Sequence, residues 1–200
     1  MAFLSVEGAR VGKRLAAWGL PVAWILGSAL GLVPASGLVA QAARPSEYQV
    51  KAVFLFNFAQ FVDWPPDAVP DSQAPFIIGV LGSDPFGDLL DATVRGEHRG
   101  GRSFVVRRYQ RIEDVKTCDI LFISRPDADR LQGVLADLKD RPILTVSDAD
   151  GFAGHGGMVG FVTDRNRIRL QINLAVAQAA HLTISSKLLR VAEIINPPGP

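Results

Sequence analysis

Three histidines, one cysteine and a few clustered aspartates are the side chains in this 200-residue sequence with the chemistry to do more than pack. His98, His155 and His181 have no ligand-like spacing to one another, to Cys118 or to a carboxylate, so the sequence gives no support for a zinc site. The segment "GHGGM", residues 154–158, has the look of the glycine-rich oxyanion-hole motif of some esterases. A hydrolase built on His155 and Ser147 would also need a G-x-S-x-G nucleophile elbow, and none follows. Asp148 and Asp150 in "SDADGFAGHGG" suggest calcium or acid–base chemistry, yet the run is not a D-x-D-x-D-G loop closed by a distant Glu. Aspartates in such a setting more often cap turns, and glycines supply positive φ beside a hairpin.

A second group of residues suggests a ligand. "GVLGSDPFG", residues 79–87, reads as a strand running into a helix, with glycines at the wrong spacing for G-x-G-x-x-G and no P-loop lysine. A helix start after a strand is nevertheless a place where small anions bind in α/β folds. Two places for a small ligand follow: the strand end near residues 82–84, and the loop carrying Asp148, His155, Gly156 and Gly157. Cys118 lies in the apolar run "CDILFIS" and has no internal partner for a disulfide. Two readings of it stand, a buried hydrophobe or a thiol used between molecules.

The elements that must position these residues alternate between strand-like and helix-like periods, the α/β pattern. A helix over about residues 46–63 comes first. Strands follow near 76–82, 103–109, 119–124 and 141–148, with a helix after the first and another at about 127–139. "MVGFVT" and "RIRLQIN" flank the turn "DRN" as a hairpin, which makes the sheet mixed. Asn173 and Ser185 or Ser186 are placed to cap two closing helices, the second over "KLLRVAEII". The expected architecture is a single-domain α/β sandwich: a mixed sheet of about five or six strands with helices on both faces.

The first 42 residues read differently. Arg10, Lys13 and Arg14 precede an apolar run from Leu15 to Val33, and Ala40-Gln41-Ala42 fits an A-x-A cleavage site. That is the pattern of a secretory signal peptide, with a retained membrane anchor as the alternative. Removing residues 1–42 takes three basic side chains from 21 and one acidic side chain from 20. It leaves residues 43–200 as one domain of 158 residues with 18 basic and 19 acidic groups. A near-neutral domain with both signs scattered has no electrostatic footprint for nucleic acid.

The opening helix, "KAVFLFNFAQF", carries four phenylalanines. At 100° per residue Phe54, Leu55, Phe58, Phe61 and Val62 share one face, whereas Val53 and Phe56 project from the polar side. Either another element of the domain covers those two, or they belong to a dimer or partner interface.

Taken together and in order, "YQVKAVFLFNFAQFVDWP", "CDILFIS", "GFAGHGGMVGFV" and "RIRLQINLAVAQAAHLTISSKLLRVAEII" resemble the YfiR/HmsC-like periplasmic repressor family, over about residues 46–195. The resemblance implies a non-enzymatic, cofactor-free, dimeric periplasmic protein. Such a protein binds the sensor region of an inner-membrane diguanylate cyclase and holds it inactive, and an outer-membrane lipoprotein or a redox change lifts the repression. Characterised members pair several cysteines, so any redox response in this chain would pass through an intermolecular bond at Cys118. The alternative is a periplasmic small-molecule sensor acting on another membrane receptor.

Overall fold

A capping box starts the first helix. Ser46 Oγ accepts from the Gln49 amide at 3.3 Å, and the Ser46 amide donates to Gln49 Oε1 at 2.6 Å, so two otherwise unpaired donors at the helix end are satisfied. The helix, α1, runs Glu47–Phe61 and ends where Val62 turns into an extended conformation ahead of Trp64-Pro65-Pro66. The computed structural model describes residues 45–68, 74–125, 128–165 and 167–195. The expected signal segment lies outside the described residues.

After α1, the short strand β1 (Val62–Asp63) leads on to β2 (Phe76–Leu81), α2 (Asp88–Val94), β3 (His98–Arg99) and β4 (Arg102–Tyr109). Next come β5 (Ile120–Ile123), α3 (Ala128–Asp137), β6 (Leu144–Ser147), β7 (Val159–Asp164) and β8 (Arg167–Ile172). The chain closes with α4 (Leu174–Ala179), β9 (Thr183–Ile184), α5 (Ser186–Leu189) and β10 (Ala192–Ile194).

Among the described residues the main sheet has eight strands in the order β10-β8-β7-β6-β5-β2-β4-β3. β4, β2, β5, β6 and β7 run parallel, β8 returns antiparallel to β7, and β10 lies parallel to β8. The sheet is therefore mixed, as the hairpin at residues 158–173 predicts, but it is larger than five or six strands. The two additions are at its edges. In the polar, glycine-rich stretch ahead of the strand expected at 103–109, His98 and Arg99 pair with Ser103 and Arg102 across Gly100-Gly101. In the segment read as a closing helix, α5 stops at Leu189 and Ala192–Ile194 pairs with Leu170–Ile172. That pairing satisfies the open edge of β8, which a continued helix would leave exposed.

The central strands β2, β5 and β6 are buried on both faces and have side chains alternating between two cores. Phe76, Ile78, Val80, Ile120, Phe122, Leu144 and Val146 pack with α1, α2, α4 and α5 on one side. Leu81, Leu121, Ile123 and Phe152 pack with α3 on the other. On α1 the buried stripe is Lys51, Ala52, Leu55, Phe58 and Ala59, with Phe54 and Phe61 only half-buried at its margin. The face is turned from the one the apolar residues alone predict, because a lysine lies within it. Full burial of Leu55 and Phe58 contributes about 2 kcal/mol each.

From β2 the chain goes through α2 to β4 on one side, then crosses back to β5 on the other. The carboxyl ends of β2 and β5 therefore diverge into a crevice, the topological switch point at which open α/β sheets bind ligands.

Candidate functional site

Lys51 is 1% exposed, in the middle of an aromatic helix, and its charge requires partners there. Its Nζ lies 2.6 Å from Asp148 Oδ2 and 2.5 Å from Glu47 Oε1, one turn earlier on α1. Tyr48 donates its hydroxyl to Asp148 Oδ2 at 2.9 Å, and Arg125 Nε reaches Asp148 Oδ1 at 3.4 Å. Thr163, on β7, donates to Glu47 Oε1 at 3.0 Å. Lys51 Nζ also sits 4.6 Å from the Tyr48 ring centroid, so the ring face adds to its surroundings. Asp148 directly follows the carboxyl end of β6, so this cluster fastens the first helix to the sheet's functional edge.

Burial by itself would raise the Asp148 carboxyl; the Lys51 hydrogen bond and charge, with Tyr48 and Arg125, outweigh it and hold the group below the usual carboxylate range. Tyr48 is pushed up to about 12, first by burial and then by its bond to the Asp148 carboxylate. The Lys51 hydrogen bond likewise lowers Glu47. The two carboxylates are held in their charged form and every member of the set is partnered, an arrangement suited to holding elements together.

The residues of the 148–157 loop that the sequence groups as a ligand site do not converge. Asp148 turns to Lys51 and is buried, whereas Asp150 is exposed. The His155 ring is exposed, and its carbonyl accepts from Gln132 at 3.1 Å. Gly156, at φ +99°, lines a separate cavity of about 260 Å³ with Leu135, Leu138, Met158, Val176 and Ala180. Gly157 makes room for Phe152: a Cβ there would stand 2.1 Å from the Phe152 ring. The loop is pinned rather than flexible, with Phe152 and Ala153 buried and Asn173 Nδ2 donating to the Ala153 carbonyl at 2.9 Å. Ser147 is fully buried, donates to the Ile123 carbonyl at 2.6 Å and accepts from the Ala149 amide, so no hydroxyl is presented for attack. Among the described residues no group of three or more His, Cys, Asp or Glu is arranged to hold a metal ion.

Val53 is 48% exposed on α1. Phe56 is half-buried and rests on the Phe104 ring of β4, centroid to centroid 5.2 Å. Cys118 is half-buried against the bare backbone of Gly79, its thiol 2.9 Å from the Ile120 carbonyl, and burial pushes that thiol up to about 12.

A second buried pair, absent from the sequence reading, closes the opposite end of the sheet. Arg102 grips Asp119 through two parallel bonds of 2.9 and 3.0 Å, and Asp119 Oδ2 also accepts from the Ile77 amide at 2.7 Å. Trp64, just after α1, donates to the Asp119 carbonyl at 3.2 Å. Neither Lys51 nor Arg102 stands out in the sequence, although an isolated lysine inside an apolar helical stripe is a signal that the burial of a charge is at stake.

The described residues thus form an open α/β sheet with a crevice at its carboxyl edge and an ion-paired clamp on its first helix. The chain belongs to the YfiR/HmsC-like family, a family of regulatory proteins, whose profile matches residues 48–193. No curated protein sequence matches it significantly. Among the described residues no helix is long and apolar enough to cross a membrane.

Proposed function

We propose that the protein is a non-enzymatic periplasmic regulator that binds the sensor region of an inner-membrane diguanylate cyclase and represses it. Repression lowers cyclic-di-GMP and restrains biofilm formation. The observation that carries the reading is the family match over residues 48–193, which takes in every element from α1 to β10 but the first residue of α1 and the last of β10. Residues 1–42 act as the export signal, cleaved near Ala42, and the mature domain works as a homodimer released by an outer-membrane lipoprotein. Neither a cofactor nor nucleic acid takes part.

Repression needs only differential affinity: the regulator binds the inactive arrangement of the cyclase more tightly than the active one. The contact surface we assign is the outer side of α1 around the exposed Val53 and the rim of Phe56. The test is a pull-down and a cyclase assay with the purified receptor, sensor region included. Addition of the mature domain should lower the rate of cyclic-di-GMP synthesis in a saturable way; a pair that neither associates nor changes rate ends the proposal.

A further inference from the structure

The crevice between the carboxyl ends of β2 and β5 has a volume of about 300 Å³ and is lined mainly by polar groups, among them Ser83, Gln110, Ser124, Arg125 and Arg130. It sits at the switch point, where the connections from β2 and from β5 lead away in opposite directions. Three acidic residues of the neighbouring loops and of α2 are already engaged. Asp84 accepts from Arg108 and from the Phe86 amide, Asp91 is held by Arg108, and Asp148 by Lys51. The lining itself holds no carboxylate among the described residues and is rich in hydrogen-bond donors. A larger cavity of about 350 Å³ lies at the opposite, amino end of the strands, but its lining is mostly apolar and includes Trp64, Pro75, Ile77 and Ile143.

We propose that the switch-point crevice binds a small organic oxyanion, a carboxylate or a phosphate ester, with Arg125 as its principal charge partner. A planar guanidinium matches either group by paired N–H bonds, and the serine hydroxyls and the Gln110 amide suit the hydroxyls of a polar organic acid or sugar phosphate. Arg125 is 68% exposed and its bond to Asp148 is long, so it can turn to a ligand without uncovering the buried Lys51–Asp148 pair. The ligand then competes with Asp148 for Arg125, one side chain away from α1. Occupancy of the crevice is in this way felt at the helix that carries Val53.

The experiment is calorimetric titration of the mature domain alone with citrate and with inorganic phosphate in chloride buffer, so its outcome is independent of any cyclase. Saturable binding of at least one probe is expected, weakened about tenfold or more in both Arg125→Gln and Gln110→Glu. Arg107→Gln, on β4 but outside the crevice lining, should leave it unchanged. Citrate binding alone identifies a carboxylate ligand and phosphate binding alone a phosphate ester. Absence of binding by both probes, equal loss in Arg107→Gln, or unchanged binding in Arg125→Gln overturns the proposal. Gln110→Glu adds charge at an exposed position and leaves the Arg125–Asp148 bond intact, so its effect cannot be assigned to misfolding.

Discussion

At the scale of single residues, the buried Lys51–Asp148 pair makes the sharpest demands. Asp148→Asn keeps the shape but removes the charge that neutralises Lys51, which then retains only Glu47. Chemical denaturation should show a loss of about 3 kcal/mol. Lys51→Met combined with Asp148→Asn should cost less than the two single changes added together, the signature of direct coupling. The pair also sets a pH dependence. The Asp148 carboxyl is lowered in the folded state, so the unfolded chain takes up its proton first as the solution is acidified. Its contribution is complete at neutral pH and falls away below about 4, and a pH series of unfolding midpoints should show a shallower acid limb in Asp148→Asn than in the parent. Gly157→Ala drives a methyl group into the Phe152 ring and should destabilise by about 2 kcal/mol, measured by thermal unfolding. Cys118, with its thiol pushed up to about 12, should label with a disulfide reagent at neutral pH only as fast as the protein opens. Rapid stoichiometric labelling of the native domain would show an accessible thiolate and favour a role between molecules.

Elements differ in how far their own sequences announce them. β2, β5, β6 and the β7–β8 hairpin are legible because each is a β-rich run bounded by turn residues and buried by its own composition. α4 is legible at its start, where Asn173 Oδ1 accepts from the Val176 amide at 3.2 Å. β3 and β10 are not, since a strand of two or three residues is defined by its neighbour's open edge rather than by any pattern of its own. The helix that residues 79–87 lead into likewise begins late: the Asp84 carboxylate accepts from the Phe86 amide, and α2 starts only at Asp88. The buried side of α1 was partly hidden for a related reason, because Lys51 is admitted to the core by Asp148, 97 residues away. On the same helix Val53 and Phe56 should now separate. Val53→Glu should leave the unfolding midpoint within about 0.5 kcal/mol of the parent, as an exposed position does, while abolishing association with the cyclase if the surface proposed above is the right one. Phe56→Ser removes the ring packed on Phe104 and should cost about 2 kcal/mol whatever the partner. An unchanged cyclase affinity in Val53→Glu would move the interface away from α1.

For the molecule as a whole, class and family were readable from ordered local segments, but the convergence of charges at the two ends of the sheet was not. Lys51 with Asp148, and Arg102 with Asp119, are meetings of residues from distant parts of the chain, and only the finished topology makes them neighbours. The same long reach has a kinetic side. α1 is the first helix of the domain, yet Asp148 holds its middle, Phe161 stacks on its Phe58, and the Phe61 carbonyl at its end accepts from the Ser185 amide at 2.8 Å. Val62 pairs with Ile184. A chain made amino end first can pack its opening helix on α2 and β4 early, but the helix gains its last partners only after about 120 further residues have followed it, since non-local contacts wait on the loop that joins them. The clasp between the first and last elements is in this way the part of the domain that synthesis completes last.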